Sequence, residues 1–115
     1  MSKERIKKAL KWFGFSNICT RVYVFLATEG PHNVREISTA MNLQESEVYG
    51  ILKDLQSIEI VKVSIEQSLE FIALPFEEVL DLFIEVKKEQ AKKLEKSKEE
   101  LLSSWKTMIK NNSKN

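Results

Sequence analysis

Gln44, Glu45, Ser46, Glu47, Tyr49 and Lys53 lie within ten positions of one another, in the stretch QESEVYGILKDLQS. There, Val48, Ile51, Leu52 and Leu55 recur at three and four residues, which predicts a helix over about 44–57 with those four inward. Glu45, Ser46, Glu47, Tyr49, Gly50, Lys53 and Asp54 then fall on or near the outward face. Such a face suits one of two kinds of recognition. In a nucleic-acid groove a glutamate accepts a hydrogen bond from the cytosine amino group, while a lysine or tyrosine reaches a phosphate. Against a protein, the same carboxylates form an acidic docking surface.

Catalytic chemistry finds less support. Cys19 and His32 are the only thiol and imidazole, so they are the one pair to weigh as a dyad. Cys19 shares a predicted helical face with Val22, Tyr23 and Leu26, which makes it a small buried apolar residue, and His32 sits in the turn after Pro31. Paired metal ligands, a phosphate-cradling glycine loop and a nucleophile elbow are all missing from the sequence. We therefore expect no enzyme, no metal and no cofactor.

The elements that must carry the outward helix are legible in part. A length of 115 residues, 43% hydrophobic and 30% charged, fits one globular core. One cysteine excludes an intramolecular disulfide framework, and MSKERIKKALKWF lacks the apolar run of a signal peptide. Nor does any stretch approach the roughly 20 apolar residues that span a membrane. These features lead us to expect a soluble protein in the reducing cytoplasm, with no membrane partner.

Ser2 is placed to cap a first helix carrying Ile6, Ala9, Leu10 and Phe13 inward and stopping at Gly14; Lys3, Arg5, Lys7, Lys8 and Lys11 lie on its outer face. Ser16 opens a second helix, with Ile18, Val22, Phe25 and Leu26 inward, ending at Gly30-Pro31. Asn33-Val34-Arg35-Glu36 has the form of a capping box and starts a short helix bearing Val34, Ile37 and Met41. After the turn at Asn42-Leu43 comes the helix of 44–57, and the pair reads as a helix-turn-helix. Residues 60–65 and 69–74 are β-branched or aromatic runs separated by Glu66-Gln67-Ser68, which suits a hairpin. The expected fold is mostly α with a small β-hairpin, a winged helix-turn-helix over 1–75. A long helix over about 76–110 follows Pro75, free of glycine and proline, with residues 111–115 expected to fray.

That last helix carries a dimerisation signal. Leu80, Leu94, Leu101 and Met108 fall on a seven-residue repeat, and Ile84 and Trp105 on a second at heptad offset, interrupted by Lys87 and Lys98. We expect 76–115 to form a homodimer interface through Leu80, Ile84, Leu94, Leu101, Trp105 and Met108.

The whole arrangement resembles the TrmB-like family of archaeal winged-helix transcription regulators. The resemblance is carried by Leu10 with Gly14-Phe15-Ser16, Arg21-Val22-Tyr23, Gly30-Pro31, Arg35-Glu36-Ile37, Val48-Tyr49 with Ile51-Leu52, Ile60-Val61, and Leu74-Pro75 with Glu77-Glu78. It implies a dimeric, sequence-specific regulator that occupies an operator in double-stranded DNA, with helix 44–57 in the major groove and the hairpin as wing. The residues it nominates for DNA contact are Arg35, Gln44, Glu45, Ser46, Glu47, Tyr49, Lys53 and Lys62. Three features depart from the family pattern: the carboxylates of Glu45 and Glu47, Glu59 in place of a glycine, and a wing turn without Lys or Arg. Some members also carry long sugar-binding regions, for which 115 residues leave no room.

Charge counting keeps both kinds of recognition open. Residues 1–75 hold nine Lys or Arg and nine Asp or Glu, yet the first helix carries +4 and residues 44–59 carry −3. Nonspecific DNA affinity comes mostly from counterion release, so an acidic reading helix weakens it. The alternative reading is a winged-helix interaction module with little intrinsic DNA affinity.

Overall fold

The computed structural model describes residues 2–66 and 69–113. Its elements run α1 (Ser2–Trp12), α2 (Asn17–Glu29), α3 (Val34–Met41), α4 (Glu45–Ser57), β1 (Val61–Ser64), β2 (Glu70–Ala73) and α5 (Phe76–Ser113). The chain divides into two compact units, Met1–Val79 and Leu80–Asn115, so the division falls inside α5.

In the first unit α2 is the central element, packed by α1, α4 and β2, while α3 packs on α4. Local chemistry sets its ends. The Ser16 side chain accepts from the Cys19 amide at 3.2 Å, and the Gly30 amide donates back to Leu26. The Asn33 box is complete: the Glu36 amide donates to the Asn33 side chain at 2.8 Å, and the Asn33 amide donates to the Glu36 carboxylate at 2.9 Å.

Three helices close in the same way. Phe15 N–H donates to Leu10 C=O, Leu43 N–H to Ser38 C=O, and Ile60 N–H to Leu55 C=O, each reaching back five residues. Such a closure needs a left-handed residue just before the donor, and Gly14 (φ 95°), Asn42 (φ 56°) and Glu59 (φ 65°) supply it. At Glu59 the side chain costs about 1 kcal/mol relative to glycine. Burial of Leu55 and Ile60 on either side of it offsets that cost and ties α4 directly to β1.

β1 and β2 pair antiparallel, Val61 with Ala73 through Ser64 with Glu70. Both strands are shorter than the runs expected from sequence. His32, expected in a turn, instead forms a bridge with Phe71: Phe71 N–H donates to His32 C=O at 2.8 Å, and His32 N–H to Phe71 C=O at 3.3 Å. β2 therefore lies between β1 and the bridge residue.

The core contains Leu10, Val22, Tyr23, Leu26, Ile37 and the four inward residues of α4. Other expectations need correction. Ile18 and Phe25 are only half-buried, and Thr20, Tyr23 and Val24 fill α2's inner surface instead. Cys19 is likewise half-buried rather than enclosed. Trp12 is 85% exposed, because α1 ends there and its packed edge runs through Leu10. α5 continues through Ser113, so the expected fraying at Asn111 is not observed; Lys114 and Asn115 lie outside the described residues, as do Gln67 and Ser68 of the wing turn and the capping side chain of Ser2.

The second unit is the remainder of α5, from Leu80 onward. Its ion pairs, Glu85–Lys88 at 3.8 Å and Glu89–Lys92 at 3.9 Å, are exposed and contribute little. Leu94, Leu101, Trp105 and Met108 stand exposed along it, joined by Leu102 and Ile109.

One long-range bond closes the first unit. The buried Tyr23 hydroxyl donates to the Leu74 carbonyl at 2.6 Å, and burial pushes the phenol from its ordinary 10.0 up to about 12. The folded state thus holds this proton more tightly than the unfolded chain. The stability so gained is complete below pH 10 and is lost as pH rises towards 12. Tyr23→Phe removes the donor to Leu74, so it should cost about 1–2 kcal/mol at neutral pH and flatten the alkaline decline. Urea unfolding at several pH values checks both, and a variant whose curve runs parallel to wild type would contradict the assignment.

Candidate nucleic-acid interface

α4 buries Val48, Ile51, Leu52 and Leu55 and turns Glu45, Ser46, Glu47, Tyr49, Gly50, Lys53 and Asp54 to the surface, as the spacing predicts. Gln44 is exposed at its N-cap and makes no side-chain capping bond. Arg35 is exposed in the first turn of α3, and Lys62 is exposed on β1. Six of the eight nominated residues therefore lie on or next to one helix, with Arg35 on the helix packed against it and Lys62 on the adjoining strand.

The two carboxylates have a local explanation. Glu45 and Glu47 occupy the first turn of α4, where the unpaired N–H groups carry the positive end of the helix dipole. Because Gln44 does not cap that end, they offset it. They also occupy the position where a phosphate would otherwise be drawn. A phosphate is therefore disfavoured at the N-terminal end of α4.

The middle of the helix carries a cation set over an aromatic ring. Lys53 Nζ lies 5.3 Å from the centre of the Tyr49 ring, one turn apart, which holds the ammonium over an aromatic face that is itself half-exposed. Gly50 shares this exposed face, and a methyl group placed there would meet nothing within 4 Å. The fold itself gives no reason for glycine at this site, which removes side-chain bulk from the exposed centre of the helix.

The wing differs from a cationic one. Lys62 is its only described cation, whereas Ile65 and Leu69 toward its tip are 78% and 61% exposed. The apolar wing was not singled out from sequence, since β-branched runs read equally well as buried strand.

Cys19 and His32 do not come together. Cys19 is in the first turn of α2 and His32 lies beyond its last, about 15 Å of helix away. The His32 ring tilts against Phe25 with centroids 4.8 Å apart, and its Nδ1 lies 2.7 Å from the Gly30 carbonyl oxygen, so the imidazole serves the turn. Among the described residues no three His, Cys, Asp or Glu side chains converge on a metal position, and no helix is long and apolar enough to cross a membrane.

The model of a family described as the sugar-specific transcriptional regulator TrmB matches residues 10–77. The chain belongs to the TrmB family. The TrmB match runs from the end of α1 to the start of α5 and includes every residue nominated for DNA contact. Among solved structures, TrmBL2, an archaeal chromatin protein whose structure is described as showing a novel mode of DNA binding, aligns with all of this chain at 23% identity and a TM-score of 0.75. This chain spans 46% of that protein's length. The transcriptional regulator Tm0710 from Thermotoga maritima is 23% identical over 93% of this chain and 85% of its own, with a TM-score of 0.57. MepR, which regulates the Staphylococcus aureus multidrug efflux pump MepA, is 17% identical over 95% and 88%, with a TM-score of 0.53. These likenesses carry the winged-helix fold. No curated protein is significantly similar in sequence.

Gly50→Ala should stabilise the TrmB winged helix by about 0.8–1 kcal/mol, because alanine is the better helix former and the site is open. A urea midpoint that falls instead would show that the backbone of α4 is already in close contact there.

Proposed function

We propose that the chain is a dimeric winged-helix transcription regulator that acts by occupying an operator. The observation that carries this reading is the exposed face of α4, where Gly50 has no folding role and lies near Ser46, Tyr49 and Lys53, on a helix inside the stretch matched to the TrmB family. A groove floor approaches a helix closely, and glycine permits it. Ser46 and Tyr49 then face base edges while Lys53, Arg35 and Lys62 meet phosphates, with Gln44 at the margin. Glu45 and Glu47 lower affinity for phosphate generally and accept from cytosine where the sequence is right, which favours discrimination over strength.

The exposed seam of α5 supports the dimer. Leu94, Leu101, Trp105 and Met108, continued by Ile84 and the half-buried Leu80, leave a line of apolar side chains in water. A second copy would cover it. Two α4 helices would then read grooves about 34 Å apart or a multiple, so the operator should be a pseudo-palindrome.

Footprinting on the DNA upstream of the protein's own gene should give paired half-sites, and a single short protected stretch would count against the dimer. Gly50→Ala, although more stable, should bind that DNA more weakly. Leu94→Glu with Leu101→Glu should yield a monomer by sedimentation and lose the paired footprint. Wild-type protein that sediments as a monomer at micromolar concentration would remove the seam from the argument.

The acidity of residues 44–59 favours a second reading, a module that docks on a basic protein surface. Glu45→Gln with Glu47→Gln separates the two. If these carboxylates read bases, nonspecific affinity rises and operator preference falls by roughly ten-fold, the value of one lost base contact. Selectivity that survives unchanged would exclude them from base reading.

A further inference from the structure

We infer that the outward face of α1 is a second, sequence-independent DNA contact, so that one winged-helix unit holds two segments of duplex. This rests on the DNA reading above and extends it to a surface which that reading leaves unused.

On α1, Arg5, Lys8, Lys11 and Trp12 are all exposed, whereas Leu10 is fully buried and Ile6 and Ala9 are half-covered. At 100° per residue the exposed side chains fall on one face with Lys8 at its centre. Glu4 is the one carboxylate there, and Lys7 Nζ, 3.9 Å away, offsets it. The face therefore carries three cations beyond that pair and an indole in water. It is the strongest cationic surface on a unit whose reading helix is net negative and whose wing has one described cation.

Charge complementarity selects the occupant. A row of cations facing solvent releases counterions from a phosphate backbone, and an exposed indole N–H is a further donor to phosphate oxygen without any demand on sequence. Neither residue type would be needed to read bases at this position.

The packing makes this a separate surface. α1 packs on α2, and α2 packs on α4 and β2, whereas α1 and α4 share no comparable packing. Thr20, Val22, Tyr23, Val24 and Leu26 bury more than half of α2's circumference between its neighbours. α1 and α4 thus meet α2 separately, and their exposed faces belong to different elements of the unit. The unit bridges two stretches of DNA, one read by α4 and one held by charge on α1.

The test uses the full chain and two duplexes. The protein's own upstream DNA is immobilised, and a fluorescent duplex of unrelated sequence is offered in solution across a salt series. Wild type should retain the second duplex. Arg5→Ser with Lys8→Ser and Lys11→Ser should lose that capture at least ten-fold while keeping the footprint on the immobilised DNA. The salt slope of capture should fall by about 2–3, close to 0.9 for each phosphate contact removed.

Capture that persists in the triple variant would overturn the proposal, since two α4 faces of a dimer would then do the bridging. A variant that loses its footprint together with capture, or dissociates on sedimentation, would overturn it too, by assigning α1 to the first duplex or to the subunit interface. Wild-type protein that footprints the immobilised DNA and captures nothing contradicts the bridge alone. Wild-type protein that binds neither duplex contradicts the DNA reading itself.

Discussion

The first unit depends on α2, and α2 depends on a bond formed 51 residues away along the chain. Tyr23 has to be buried to fill the space between α2 and the hairpin, and a buried hydroxyl needs a partner. Leu74 supplies the acceptor at the point where the hairpin ends and Pro75 begins the turn into α5. Pro75 has no N–H to contribute, so the junction is held from outside by the tyrosine and by Leu74 N–H on the Ile60 carbonyl at 2.8 Å. Through these two bonds, one central helix fixes the end of the wing, the end of α4 and the start of α5 together.

Electrostatics within this frame follow position more than overall charge. Residues 1–75 are neutral as a sum, but the charges are sorted by element: cations outward on α1, carboxylates at the head of α4. A carboxylate in the first turn stabilises its own helix at the same time as it repels a phosphate. One placement serves folding and restrains nonspecific binding. The middle of α4 instead carries a glycine in open space and a lysine set over an aromatic ring.

What the sequence made legible was local. Ser16, Gly30 and the Asn33–Glu36 box act within four residues, so their roles could be read directly, and the burial of Val48, Ile51, Leu52 and Leu55 followed from helical spacing. The bridge of His32 with Phe71 was hidden because pairing between distant backbones leaves no trace in residue type. Tyr23 was assigned to a face, yet its bond to Leu74 depends on where the hairpin returns. Cys19 misled for a related reason: hydrophobicity states a preference for burial, while its place in the first turn of α2 decides whether it is met. Of the candidate surface, the exposure of the α4 residues was legible from helical spacing, whereas the open space around Gly50 was not, since residue type alone does not distinguish it from a glycine that the fold requires.

The bridge between His32 and Phe71 also determines which side of the hairpin is left open. With β2 occupied on both sides over that stretch, β1 is the outer strand among those described, paired only along its β2 side. An open strand edge invites any other extended chain to add to it. Here the edge is only four residues long and has Lys62 in it, beside exposed Val63. Whatever Lys62 contributes to a nucleic-acid contact, it also places a charge where an intruding strand would have to lie, and so guards a small, sticky wing against aggregation.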